Sequence, residues 1–575
     1  MYRSAIVGIP RLFYWINATH PECLIKLKHG QTFRDLNLEV ECYALDNNAI
    51  IHPVCQKAHG YGNSDPKKSF LHRKPKQREP PHEKQIFSQL CRKTDELRKI
   101  VNPSKRFIFA TDGVACMAKM CQQRQRRFVS AKSKDKSRTF DSNSITTGSE
   151  FMNNLSKYVH INIQRQLSEN PEWANLEVIF SNEKVPGEGE HKIIQYMKSN
   201  SAMSFCIDSP DADLLMLTLS LPNPNIYIIR ENIYKSIDCK YFVVDVNKFR
   251  EIIIKQFRWG SGEHVYTDTQ LIYDFILICF MLGNDFLPHI PSLEISNDGL
   301  DVLMETYPRI ATNHGHLVYR SKKTGELSLN TKALGQLFYS LAQGEKERLL
   351  TKSQDRSLDF PDTVLASCIT ESLKESKDGS SSSSGNGTTP KLDFNKYRKL
   401  YYEKKLHDTE PYDVCHEYFK GMLFVIRYYI DGIPDYQWFY PFHKSPFFMD
   451  MYESVDDFDG EILFENRGPL SSFEQLLAVM PPGSVDILPS ALKNLVADDD
   501  SVIADFYPSD FEIDLDGKKK EFEGVAVLPF VNVDRLKDAY NTKKSDLTEI
   551  EQKRNKLGKS MKYYNYNGQV KTSFV

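Results

Sequence analysis

The 575 residues are enough for two to four ordinary domains with large cores, and a content of 41% hydrophobic and 26% charged residues is that of a soluble globular chain. A formal net charge of −2 excludes a polycation that grips nucleic acid everywhere, so any such contact must rest on local basic charge. Eleven cysteines without one C-x-x-C pair exclude a zinc ribbon and a disulfide framework, and suit reduced thiols in a cytosolic or nuclear compartment.

The start, MYRSAIVGIPRLFYWI, is interrupted by Pro10 and Arg11 and lacks the apolar core of a signal peptide. Leu12, Phe13, Trp15 and Ile16 read as one face of a helix that starts at Pro10. Residues 38–45, LEVECYAL, predict a strand ending at Asp46, with His52 just beyond in AIIHPV. Residues 61–81 are polar, rich in Lys, Arg and Pro and without periodicity, and read as a solvated insertion. A charged amphipathic helix follows over 85–101, then a short apolar strand over 107–110.

Residues 110–128, ATDGVACMAKMCQQRQRRF, carry Asp112 at the mouth of that strand and then Lys119, Gln123, Arg126 and Arg127. Offsets of four, three and four residues (Lys119 to Gln123, and Gln123 to Arg126 and to Arg127) put these donors on one helix face, which reads either as a solvated face or as a phosphate-binding one. The stretch from Lys119 to Arg138 holds eight Lys or Arg and one acid, Asp135. Further on come a helix over 155–167, a strand over 176–181, a turn and helix in VPGEGEHKIIQYM, a strand over 204–207, a helix opened by SPDADLLMLTL, and a strand over 226–229. Residues 271–282, the most apolar segment, number about a dozen and hold Asp274, which predicts a buried helix and not a membrane span. Such alternation predicts an α/β fold with a mainly parallel central sheet flanked by helices, and ligand sites beyond the carboxyl ends of its strands.

Three segments are expected: a catalytic region over 1–355, a flexible linker over 356–393 around GSSSSSGNGTTP, and a second, α+β region over 394–575 packed against the first, helical over 394–405 and dense in aromatics over 419–442.

The candidate metal-binding acids are Asp46, Asp112, Glu188, Glu190, Asp211, Asp213 and Asp285. Mg²⁺ and Mn²⁺ take oxygen ligands, and two such ions suit phosphodiester cleavage. For the pairs Glu188/Glu190 and Asp211/Asp213 the alternative is helix capping, which favours acids in a first turn by only about 0.3–1 kcal/mol. Their position after successive strands is what capping does not require. Asp285, leaving the most buried helix, reads as a metal ligand over a turn residue. His52 alone reads as a buried histidine, and Trp438 in DYQWFYPFH as core rather than a nucleobase platform.

The segments GIPRLFYWI, LDNNAIIH, DGVACMAKMCQQRQRRF, PGEGEHKI, SPDADLLML, GNDFLPHIP, YYIDGIPDYQWFYPFH, FEQLLAVMPP and IADFYPSDFEIDLDGKKKEFEGVAVLPF stand in the order found in the Xrn family of 5′→3′ exoribonucleases. The chain resembles that family from Gly8 to about Arg554, in a short form without the long carboxy-terminal extension. The resemblance implies a PIN-like 5′-nuclease fold and a processive, metal-dependent enzyme with two Mg²⁺ or Mn²⁺ ions. Its partner would be single-stranded RNA with a 5′-monophosphate, hydrolysed to mononucleotides. The enzyme would work as a monomer, away from membranes, in the cytoplasm or alternatively the nucleus. It implies that the seven acids hold metal, that Lys119, Gln123, Arg126 and Arg127 receive the terminal phosphate, and that His52, with Trp438, stacks on the first base. Asn47, Ala49 and the pair Cys116-Met117 depart from the family pattern, and Met117, where the family has Arg, is expected to weaken backbone contacts. Two other readings stand beside this one: a flap-type DNA nuclease, and an inactive RNA-binding scaffold.

Overall fold

The computed structural model describes residues 12–60, 82–132, 140–211, 213–232, 237–258, 267–293, 299–354, 362–373, 388–516 and 524–575. The start around Gly8, the basic stretch over 61–81 and most of the Ser/Gly-rich segment therefore lie outside the described residues.

Nine strands form one sheet: β1 (Leu24–Leu27), β2 (Cys42–Asp46), β3 (Arg106–Ala110), β4 (Glu177–Ser181), β5 (Phe205–Asp208), β6 (Ile226–Glu231), β7 (Tyr241–Asp245), β8 (Met561–Tyr566) and β9 (Gln569–Phe574). Their order is β1-β7-β6-β5-β2-β3-β4-β8-β9. The five central strands, β6-β5-β2-β3-β4, run parallel, and antiparallel strands close both flanks. The central strands read as apolar runs because both of their faces are covered. Cys42, Ala44, Ile108 and Ala110 face one core while Tyr43, Leu45, Phe107 and Phe109 face the other, as the two-residue period requires.

The first core is roofed by α1 (Leu12–Thr19). Helices α2 (Asn48–His59), α3 (Glu83–Val101) and α5 (Glu150–Glu169) cover the opposite face. Between them in sequence, α4 (Met117–Lys132) gives Ala118 to the first core and packs the rest of its apolar side elsewhere. The first core is completed by α6 (Gly189–Ser199), α7 (Asp213–Leu219), α8 (Val246–Arg258), α9 (Asp268–Phe280) and α10 (Pro411–Ile430). Helix α10 opens on a proline, and its second half, Gly421 to Ile430, is buried on all sides, as expected of a helix running into a core. Helix α11 (Ser472–Val479), closed by a capping box of Ser471 and Glu474, forms a third core with α4, where Met117, Met120 and Phe128 meet Phe473, Leu476 and Leu477. No helix among the described residues is long and apolar enough to cross a membrane.

The expected linker is more structured than its composition suggests. Thr363–Ala366 is a helical turn, and Ile369–Leu373 pairs with Thr388–Leu392 as an antiparallel ribbon. Val364, Leu365, Cys368 and Leu392 bury themselves beside Tyr397, Tyr401, Tyr402 and Phe447, so apolar residues on both sides of the Ser/Gly run supply the anchor.

Candidate active site

The chain order reverses between β2 and β5, and at that switch the acids gather. Asp46 ends β2, and Asp112 stands two residues past β3. Glu188 and Glu190 flank the first residue of α6, Asp213 opens α7 with Asp211 just before it, and Asp285 follows α9. Gly187, at φ +97°, makes the turn that brings α6 over the strand ends. A Cβ at Gly189 would lie 2.8 Å from Asp46 Oδ1, and the Gly189 amide donates to Asp112 Oδ1 at 2.7 Å. Asn48 Nδ2 donates to the other Asp112 oxygen at 2.7 Å, and buried Asn47 ties β2 to β3 through Thr111 Oγ1 at 2.8 Å.

The carboxyls feel one another. Burial and then Asp112, Asp211 and Glu188 push Asp46 well above the usual carboxylate range. Glu190 is pushed as far by burial, Asp211 and Glu188, and Asp213 by burial, Asp211 and Asp285. Burial also raises Glu188 and Asp211. Asp46 and Asp211 still touch solvent at the floor of the hollow. Lys119 Nζ sits 2.5 Å from Asp285 Oδ2 and 2.6 Å from Glu188 Oε2. Burial opposes its charge, but Asp285, Glu188, Glu190 and Asp211 outweigh that and hold it well above a lysine's usual pKa, so it remains a cation.

No three His, Cys, Asp or Glu side chains among the described residues close around one point as an ion's ligands would. The donor set nevertheless fits a hard cation. It is all carboxylate oxygen, and five of its acids carry raised pKa values, first because they are buried and then because neighbouring acids repel them, with Lys119 relieving only part of this. Asp46, Asp112, Glu188, Glu190, Asp211, Asp213 and Asp285 are the residues available to hold it.

Helix α4 links this hollow to a cationic face. Lys119, read as a phosphate donor, is committed to the acids instead. Gln122, which the spacing did not single out, donates through Nε2 to Asp285 Oδ1. Gln123 is half-buried, and its amide oxygen has no hydrogen-bond partner among the described residues. Arg126 is exposed, with no carboxylate in salt-bridge range among those residues. Arg127 is half-buried, and burial and then Arg126 push it down to about 10, so it is charged at neutral pH. His52, on α2, is open to solvent yet surrounded by protein, as on the floor of a groove. That crowding, with Arg126 and Arg127, pushes it down to about 4. Arg126 also acts on Asp211, and Arg127 on Asp112. Because α4 carries both Lys119, held among the acids, and Arg126 and Arg127 two turns later, hollow and cationic face adjoin.

Trp438 is not part of this groove. It is 5% exposed, with its ring centroid 4.3 Å from Phe424 and 6.0 Å from Phe464. Packing between α10 and the 464 loop leaves it no free face on which a base could lie. Tyr436, two residues earlier, is half-buried, and its carbonyl accepts from the Met117 amide at 2.7 Å, against the first turn of α4. Met117 itself is buried in the α4–α11 core, so apolar packing and that amide bond hold the turn.

Two site residues escaped the sequence reading. Tyr428 OH donates to Glu188 Oε1 at 2.5 Å, and Tyr429 is buried beside it where it bears on the charge of Asp213. The signal was a Tyr-Tyr pair at the end of the buried half of a helix, where phenol hydroxyls need polar partners.

The chain matches two family models, "XRN 5'-3' exonuclease N-terminus" over residues 7–232 and "Xrn1 helical domain" over residues 265–347 and 339–575. The 5'-3' exoribonuclease 1 of Homo sapiens is 30% identical over 619 aligned residues, which cover 96% of this chain and 35% of that protein. The 5'-3' exoribonuclease 2 of Candida albicans is 27% identical, over 96% of this chain and 74% of that protein. The chain thus spans about a third to three quarters of the length of these curated relatives. The catalytic core of Rad2 in complex with DNA substrate aligns loosely, with a TM-score of 0.30 and 15% identity over 60% of this chain and 77% of that one.

Proposed function

Because this chain belongs to the XRN 5′-3′ exonuclease family, we propose that it hydrolyses single-stranded RNA processively from a 5′-monophosphate end, releasing mononucleotides. The observation that carries this reading is that one helix, α4, seats Lys119 2.6 Å from Glu188 and 2.5 Å from Asp285 and, two turns on, holds Arg126 exposed, which sets phosphate-type donors beside the acids. Two Mg²⁺ or Mn²⁺ ions, when bound by the seven acids, would ease formation of the attacking hydroxide and the build-up of charge on the leaving oxygen.

The chain's own side chains do the rest. Arg126 and Arg127 offer planar forks to the terminal phosphate, and the Gln123 amide NH2 can donate alongside them. With its pKa near 4, His52 is neutral at physiological pH and can lie flat against the first base without adding charge. Because donors and acids adjoin, fixing the phosphate would set the scissile bond one nucleotide inward. A capped or triphosphate end would bring more bulk and charge than the groove can take. Eleven free thiols support a reducing compartment, which we take to be the cytoplasm.

The test is digestion of matched RNAs carrying 5′-monophosphate, 5′-hydroxyl or 5′-triphosphate, with Mg²⁺ or with EDTA, beside a flap DNA. Only the monophosphate RNA should fall to mononucleotides, and only with metal. Equal decay of the hydroxyl-ended RNA would remove the phosphate-pocket role, and preferential cleavage of the flap would replace the RNA reading.

A further inference from the structure

We propose that Tyr428 and Tyr429 are positioning residues that hold the Glu188 and Asp213 carboxylates in the orientation a divalent ion needs, so that α10 completes the acid site. The inference rests on the metal-dependent reading above and adds to it a part drawn from far along the chain.

A tyrosine in a buried helix must find a partner for its hydroxyl, and a nearby carbonyl usually serves. Tyr418, on the same helix, does this with the Pro288 carbonyl at 3.1 Å. Tyr428 instead spends its hydroxyl on Glu188, and the Tyr429 phenol is buried close enough to Asp213 for each to bear on the other's charge. Successive residues of a helix point about 100° apart. Both can reach the acids only because the last turn of α10 is inserted among them.

The phenol rings have little freedom to leave. Tyr428 lies 4.6 Å from Phe286 and 3.9 Å from His191, the neighbours in sequence of Asp285 and Glu190. Tyr429 lies 4.5 Å from Phe280, at the end of α9. The same turn is stitched from the other side, where Lys198 of α6 donates to the Ile430 carbonyl at 2.5 Å.

Glu188 shows the consequence. One of its oxygens takes the Tyr428 hydroxyl and the other the Lys119 ammonium, so its plane is fixed from both ends. Loss of the hydroxyl would leave Oε1 buried and free to turn. Outer partners of this kind are worth roughly 10–100-fold in metal affinity or activity.

The experiment uses the full chain as wild type, Tyr428→Phe, Tyr429→Phe and the double variant. Tyr401→Phe is the control, since Tyr401 is equally buried but gives its hydroxyl to the Ser445 carbonyl, away from the acids. Mn²⁺ binding is measured by calorimetry without RNA, and kcat and KM are measured across a Mg²⁺ titration. We expect each single variant to weaken Mn²⁺ binding by about tenfold and to need more Mg²⁺ for half-maximal kcat. The KM for RNA and the 5′-end preference should stay unchanged, as should all values for the control. Mn²⁺ binding by the double variant within about twofold of wild type would overturn the inference while leaving the nuclease reading intact. So would an equal loss in Tyr401→Phe. Wild-type protein that binds no Mn²⁺ and degrades no RNA would overturn both.

Discussion

The two ends of α4 carry the same kind of side chain into opposite surroundings. At the amino end, Lys119 is 6% exposed and bridges Glu188 and Asp285. Two turns later, Arg126 stands in solvent, and Arg127 sits half-buried beside it. The first cation is spent on the protein's own acids and belongs to its stability. The second pair has no carboxylate in salt-bridge range among the described residues and is available to a ligand. Spacing along a helix places four donors on one face, but it cannot say which of them already have partners.

The comparison breaks first at the acids. Asp213→Asn should lower kcat by more than the roughly 10–100-fold expected for an outer partner, with RNA binding retained in a filter assay. Unchanged turnover would remove Asp213 from the site. Next comes Lys119→Met, which leaves Glu188 and Asp285 facing each other in a buried place. Breaking a buried ion pair costs about 3–5 kcal/mol, so a large fall in Tm is expected, measured by calorimetry without added metal. An unshifted Tm would mean that Lys119 is not their counter-charge.

Arg126→Ala should behave in the opposite way. Its Tm should move by no more than the ~0.5 kcal/mol of an ordinary surface change. The preference for 5′-monophosphate over 5′-hydroxyl RNA should drop about 10–100-fold, the worth of a charged hydrogen bond of roughly 1.5–3 kcal/mol. Identical end preference in variant and wild type would move phosphate recognition elsewhere. The smallest effect is expected from Trp438→Phe, a loss on the order of 1 kcal/mol of stability from imperfect repacking with an unaltered KM for RNA. A raised KM would return Trp438 to the groove.

The central strands and the acids at their ends were legible because β2 to β6 are short apolar runs separated by helices, and a parallel sheet puts such ends together. What failed was whatever depends on distant parts of the chain. Helix α2 was hidden because Pro53 lies inside it, with five helical residues before it, so the helix runs on past a proline that removes one of its backbone bonds. The flanking strands β1, β7, β8 and β9 pair antiparallel with partners that local pattern does not reveal. Trp438 and Tyr436 are two residues apart in one aromatic run, and only packing against Phe424 and Phe464 tells them apart. Tyr428 and Tyr429 looked like core residues, and by burial they are. Their hydroxyl tips are what make them part of the site.

The flank of the sheet formed by β8 has a kinetic meaning. Phe180 of β4 pairs with Met561, 381 positions away along the chain. Closing so long a loop is slow, and until it closes the outer edge of β4 offers unpaired backbone groups to any other strand. The strand just before the turn that carries Glu188 is therefore guarded last. Pulse-labelled hydrogen exchange during refolding should find β2 and β3 protected before β4, and simultaneous protection of all three would contradict that order.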